Sequence, residues 1–188
     1  MSKKSKKGSE NFMDNVIMRY KKLALVNFEE RHVMSIYNNL SKENRFELDV
    51  IYDVDAREEL MSVVGDPFHF AVVSGDETLA VLGLQDTFGD EDDNKAVLWC
   101  IFSENMRKNW ISFVKCSPAL MEFLHRYHNE IIVETWIGNQ KMCQWLAWLG
   151  FEARYVFENH FGNKMVHFVR CNYDTKHADD KISRPVLH

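Results

Sequence analysis

No Cys-x-x-Cys pair occurs anywhere in the 188 residues. The four cysteines, Cys100, Cys116, Cys143 and Cys171, stand 16, 27 and 28 residues apart, which excludes zinc-finger spacing, and no other metal set is expected. Three of them lie in hydrophobic stretches and read as small apolar groups in a reducing compartment. No apolar run approaches the roughly 20 residues that a membrane-spanning helix requires. The Lys-rich beginning has no apolar stretch behind it, so it lacks the layout of a secretory signal. A soluble protein is expected.

What is present points to a packed body. The chain is 46% hydrophobic and 13% aromatic, with 13 Phe and five Trp, and its length suits one domain. The net charge is −5, but Lys3, Lys4, Lys6 and Lys7 carry four positive charges at the start. The main body is therefore acidic, which argues against nucleic-acid binding except through that arm. The arm itself reads as a solvated tail, with nucleic acid or an acidic partner as its functional alternative.

Residues 1–19 read as a flexible arm and 21–28 as a first strand. Asn27, with Glu30 three residues on, fits a helix cap, and Val33, Ile36, Tyr37 and Leu40 recur at helical spacing over 28–40. A looser segment, 41–53, follows. Asp55 fits the cap of a second helix that Gly65 and Pro67 stop. Residues 68–73 and 78–84 form a hairpin around Ser74-Gly75-Asp76-Glu77, then an acidic loop leads to a continuous apolar strand over 96–102. A polar connection covers 103–109. A helix spans about 117–127, with Pro118 in its first turn and Leu120, Met121 and Leu124 inward. A strand at 131–137, a Trp-rich helix over 139–149 closed by Gly150, and strands at 152–158 and 164–171 complete the domain of 20–171. Residues 172–188 read as a polar tail. The helix between the 96–102 and 131–137 strands is a crossover, so those strands should be parallel.

The element order, together with Ile137-Gly138-Asn139, the helix after it and Leu149-Gly150-Phe151, resembles the Gcn5-related N-acetyltransferase (GNAT) superfamily. The string Trp136-Ile137-Gly138-Asn139 and the aromatic closing strands are also similar to the internal virion protein A family of short-tailed podophages. The resemblance covers about residues 20–171. It implies an α+β, GNAT-like three-layer fold with a central mixed, mainly antiparallel sheet flanked by helices. It implies a role in virion assembly, other phage virion proteins as partners, compatibility with a homo-oligomer, and a place in the virion or host cytoplasm.

An active member of the superfamily holds acetyl-CoA by its pyrophosphate on backbone N–H groups of a glycine-rich turn at a helix start. The stretch matched to that turn, Arg107-Lys108-Asn109-Trp110-Ile111-Ser112-Phe113, contains no glycine, and Trp110 and Phe113 are expected to crowd the approach. Arg107 and Lys108 offer charge, Trp110 and Ser112 lie in the matched stretch, and Asn139 heads the last helix; these five are the candidate cofactor contacts. The position seven residues after Asn139, where a Tyr commonly protonates the departing thiolate, holds Leu146, which has no proton to give. Tyr127 and Tyr155 do not match that position. Glu134 and His69 are the candidate proton acceptors, weighed against a solvated glutamate and a sheet-face histidine. His125 and His128 read as a polar helix face, and Trp136, Trp145 and Trp148 as aromatic core or interface rather than an acyl pocket. No cofactor is therefore expected, with acetyl-CoA reserved for the alternative that the chain is an active N-acetyltransferase acting on a protein or small amine.

Overall fold

The computed structural model describes residues 16–87 and 94–172. The basic arm as far as residue 15, most of the acidic loop and the tail beyond residue 172 lie outside them. The strands are β1 (Val16–Tyr20), β2 (Leu23–Asn27), β3 (His69–Ser74), β4 (Glu77–Asp86), β5 (Lys95–Phe102), β6 (Glu130–Trp136), β7 (Glu152–Glu158) and β8 (Lys164–Cys171). The helices are α1 (Glu30–Tyr37), α2 (Lys42–Phe46), α3 (Ala56–Ser62), α4 (Met106–Leu124) and α5 (Gln140–Trp148), with a π-helical segment, Glu47–Tyr52, between α2 and α3.

One sheet holds all eight strands in the order β1-β2-β3-β4-β5-β6-β8-β7. Every neighbouring pair is antiparallel except β5 and β6, which the α4 crossover makes parallel. The sheet is thus mixed and mainly antiparallel, with helices on both faces, as expected. Strand alternation sorts the core. Leu25, Phe70, Leu82, Leu98 and Val133 pack with α4 and α5 on one face. Ala24, Val26, Ala71, Val81 and Ile101 pack with α1 and α3 on the other. Burial on both faces explains why the middle strands read as unbroken apolar runs rather than as alternating ones.

Four local expectations are corrected. Residues 16–19, assigned to the arm, belong to β1, which pairs with β2 through Arg19↔Ala24 and Tyr20↔Leu23. The cap of α1 is Glu29 rather than Asn27: Glu29 N–H donates to His32 Nδ1 at 3.0 Å, a reciprocal cap made with histidine in place of glutamate. The segment 41–53 is not loose. Ser41 Oγ accepts from Asn44 N–H and starts α2, and the π-helical turn ends at Asp53 with φ 53°. Finally, α4 begins at Met106, some eleven residues earlier than expected, so Pro118 lies deep inside it. Its inward stripe of Phe113, Ser117, Leu120, Met121 and Leu124 repeats at helical spacing, and that packing outweighs the hydrogen bond a proline cannot make.

Candidate functional site

The site follows from a shortage of pairing between β5 and β6. Their ladder holds only Lys95↔Glu130, Ala96↔Ile131 and Val97↔Ile132. Beyond Val97 the parallel strands part, and a cavity of about 250 Å³ opens between residues 98–101 and 133–135. The π-helical turn covers it with Glu47, Leu48 and Tyr52, and Trp145 and Leu146 of α5 line its far side. A second pocket, about 390 Å³, lies where the starts of α2, α4 and α5 converge, lined by Phe102, Met106, Arg107, Trp110, Asn139 and Lys141 among others.

Glu47 is the most unusual group at this junction. It is buried, yet it is a carboxylate, and its partners are neutral amide and hydroxyl donors. Asn139 Nδ2 donates to it at 2.9 Å, Asn44 Nδ2 at 3.1 Å and Thr135 Oγ1 at 3.5 Å. Burial raises its pKa above the usual carboxylate value, against the pull of those hydrogen bonds, and nearby Glu43 raises it further. Tyr52 stands beside it, with its hydroxyl donating to the Glu134 carbonyl at 3.4 Å. Burial, together with Glu47 and Glu134, holds that phenol above its ordinary pKa, so it stays protonated across the neutral range.

The start of α4 is where a diphosphate would have to be held. The turn leading into it is residues 103–105 rather than the stretch 107–113, and it too contains no glycine. The first helical N–H groups are already committed. Met106, Arg107 and Lys108 donate to the carbonyls of Ser103, Glu104 and Asn105 at 3.1, 3.2 and 3.2 Å. Two carboxylates stand over the same end. Glu104 accepts from Lys42 N–H at 2.9 Å and pairs with Arg107 at 3.1 Å, while Glu43 pairs with both Arg107 and Lys141 at 3.4 Å. The Glu43 carboxyl is held below its usual pKa, first by its own backbone N–H and then by Lys141 and Arg107. These exposed pairs are weak, about 0–1 kcal/mol each, so it is the spent amides that count most. The residues present do not fit a pyrophosphate cradle.

The expected site residues separate on this geometry. Glu134 lines the cavity; it accepts from His167 Nδ1 at 2.9 Å, and Tyr155 stacks on that imidazole at 4.5 Å. His69 does not line it. That side chain is buried against Trp99 on the face of α1 and α3, with Nδ1 3.0 Å from Asp66. Asn139 stands between Glu47 and the start of α5, and Arg107 and Trp110 line the second pocket. Lys108 and Ser112 line neither. Phe113 does not crowd the helix start, because it is fully buried and packs its ring 5.3 Å from Trp145. Leu146 is buried beneath the cavity. Sequence reasoning missed Glu47 and Tyr52, and the available signal was the Ser41-x-x-Asn44 cap that begins their helical segment.

A central sheet that splays between two parallel strands, with a capped helix leaving the second of them, defines the GNAT-like α+β class. The sequence matches no protein-family model and no curated protein. Solved structures place the fold. An acetyltransferase of the GNAT family from Bacillus anthracis superposes with a TM-score of 0.64 at 11% identity, over 82% of this chain and 97% of its own. The ribosomal-protein α-N-acetyltransferase RimL, in complex with coenzyme A, gives 0.65 at 16% identity over 83% and 97%. An aminoglycoside N(6′)-acetyltransferase from Legionella pneumophila gives 0.64 at 12% identity over 86% and 98%. The chain therefore has the GNAT acetyltransferase fold. No helix among the described residues is long and apolar enough to cross a membrane.

Proposed function

We propose that this chain is an acetyltransferase-fold protein that works through protein contacts rather than acetyl transfer, in the assembly of a podophage virion. One observation carries the first half: the amides of Met106, Arg107 and Lys108 are spent on the three carbonyls before them. With those donors used and Glu104 beside them, a diphosphate meets no backbone cradle and one more negative charge. The second half rests on the Trp136-Ile137-Gly138-Asn139 string and the aromatic closing strands. Its partners would be other virion proteins, and its place the virion or the host cytoplasm.

Titration calorimetry with coenzyme A and acetyl-CoA tests the first half. No saturable heat is expected up to roughly millimolar ligand, the level at which binding is worth only about 4 kcal/mol. Micromolar binding overturns it. Mass spectrometry of purified particles tests the second half, and absence of the chain from both particles and assembly intermediates contradicts it.

A second reading, acetylation of an amine, is favoured by Glu47 and Tyr52 facing one cavity. A buried carboxylate with a raised pKa is suited to accepting a proton, and a protonated phenol to giving one. The solved relatives named above include acetyltransferases of proteins and aminoglycosides. Thiol release from acetyl-CoA in the presence of polyamines or peptide amines, lost in Glu47→Gln, would establish it.

A further inference from the structure

Three carboxylates, Glu47, Glu59 and Glu134, line the cavity between β5 and β6, and among the described residues no lysine, arginine or histidine does. Glu59 and Glu134 are exposed and mark its mouth, whereas Glu47 is buried inside. Glu134 has His167 beside it, but Glu47 and Glu59 pair with no cation among the described residues. Glu47 is the telling member. Its three donors are neutral, so when ionised it stands in the interior without an opposite charge. A buried ion in that position is costly, and a cation brought beside it offsets part of the cost. The rest of the lining suits a lysine side chain. Leu60 and Val133 offer apolar wall to its methylene stem, and the Trp99 ring offers a face to its ammonium.

The chain carries such a cation itself. Lys3, Lys4, Lys6 and Lys7 stand together, with no acidic residue before Glu10. This stretch leads into the sheet at Val16, and the strand register fixes where that is. Val16 pairs with Val26, Val26 with Ala71, Ala71 with Val81, and Val81 with Ile101, which lines the cavity. The two ends of this row are four strand spacings apart, about 19 Å at ~4.8 Å each. The chain from Val16 back to Lys7 can span about 30 Å, and back to Lys3 about 43 Å, at ~3.3 Å per residue. The surplus is enough to pass over a helix roughly 10 Å across.

Reach also decides between this occupant and others. A tether of this length holds the lysines near the cavity at an effective concentration on the order of millimolar. A free polyamine, or a lysine of another protein, has to be supplied at that level to compete.

We propose that the Lys3–Lys7 segment docks in cis on the carboxylate-lined cavity, with one lysine ammonium placed among Glu47, Glu59 and Glu134. This goes beyond the reading of the chain as a contact-forming protein, and it is read without coenzyme A, so calorimetry with that ligand can fail the earlier reading without touching this one.

Zero-length carbodiimide cross-linking of the full chain, followed by peptide mapping, tests it. At about 1 μM protein, contacts between chains are some thousandfold rarer than tethered ones. Cross-links from Lys3, Lys4, Lys6 or Lys7 to Glu59 or Glu134 are expected, and Glu59→Gln with Glu134→Gln should remove them. Cross-links that avoid both glutamates and fall on the acidic loop 90–93 or elsewhere overturn the proposal. Spermine, titrated by calorimetry, supplies a second measurement. The quadruple variant Lys3→Gln, Lys4→Gln, Lys6→Gln, Lys7→Gln should bind it about tenfold more tightly than the parent, because a tethered competitor has been disarmed. That gain should vanish when Glu59→Gln and Glu134→Gln are added. Equal affinity in parent and quadruple variant, or binding by neither, overturns the proposal, with circular dichroism confirming that each variant is folded.

Discussion

Asn139 serves two elements with one amide: its Oδ1 accepts the Met142 N–H at 3.2 Å and caps α5, while its Nδ2 holds Glu47 Oε1 at 2.9 Å. The residue that starts the last helix is therefore also the strongest tether of the buried carboxylate, 92 positions away.

Replacing Asn139 by Ala removes both functions. Loss of the cap costs about 1 kcal/mol, and the donor withdrawn from a buried carboxylate adds about 1–3 kcal/mol. Asn139→Asp keeps the cap acceptor but sets a second carboxylate against Glu47. Its deficit should be larger at pH 7 than at pH 5, whereas that of Asn139→Ala should vary less. Urea unfolding at both pH values reads the difference, and an Asp variant as stable as the parent at pH 7 contradicts the contact.

Glu47 predicts a stability that falls as pH rises. Its folded pKa lies above the ordinary value of 4.5, so between the two the folded chain holds the proton that the unfolded chain has lost. The cost of keeping it buried and ionised is complete above the folded pKa and vanishes below 4.5. Glu47→Gln should therefore gain on the parent with increasing pH, seen as a rising difference in Tm. A difference that does not change with pH speaks against it.

His32 acts in the opposite direction. Burial, with Arg31 adding, lowers its pKa from 6.5 to about 4. The unfolded chain then binds a proton that the folded one refuses, so stability is lost as pH drops from 6.5 towards 4. The full loss is about 3 kcal/mol at 1.36 kcal/mol per unit. His32→Gln should flatten that slope in chemical unfolding measured between pH 7 and pH 4.5, and an unchanged slope would place the titration elsewhere.

Gly83 is required by two rings. A Cβ there would overlap the His69 imidazole and stand 2.7 Å from Trp99 Cε2. Gly83→Ala should cost about 1–3 kcal/mol, the usual range for overpacking a core. Pairing it with His69→Ala should recover much of that loss, since the clash is with a side chain. Thermal unfolding of the double variant checks this; a purely additive result argues that backbone strain is responsible.

Much of the architecture was readable from local pattern. The strands at β3 and β5–β8 show as apolar runs bounded by turns, and Asn139 with Gly150 brackets α5, where Gly150 takes φ 85°. The start of α4 was hidden because its first turn mixes exposed Arg107 and Lys108 with buried Met106 and Asn109. The segment with Glu43, Asn44 and Glu47 is too short to show a period, and Phe46 and Val50 on it are exposed. For that reason Glu47 and Tyr52 went unseen, while His69, chosen from its residue type, is buried against Trp99 and does not line the cavity.

The sequence by itself determined where α5 begins and ends, which strands are buried on both faces, and that no glycine turn precedes α4. These are properties of a few adjacent residues: caps, periodicity and backbone freedom. Only the tertiary structure decided that β5 and β6 part after three pairs, that Glu47 is buried against Asn139, and that the amides of α4 are spent. Each of those depends on groups brought together from distant positions, whose burial and partners are set by packing and carry no local signal.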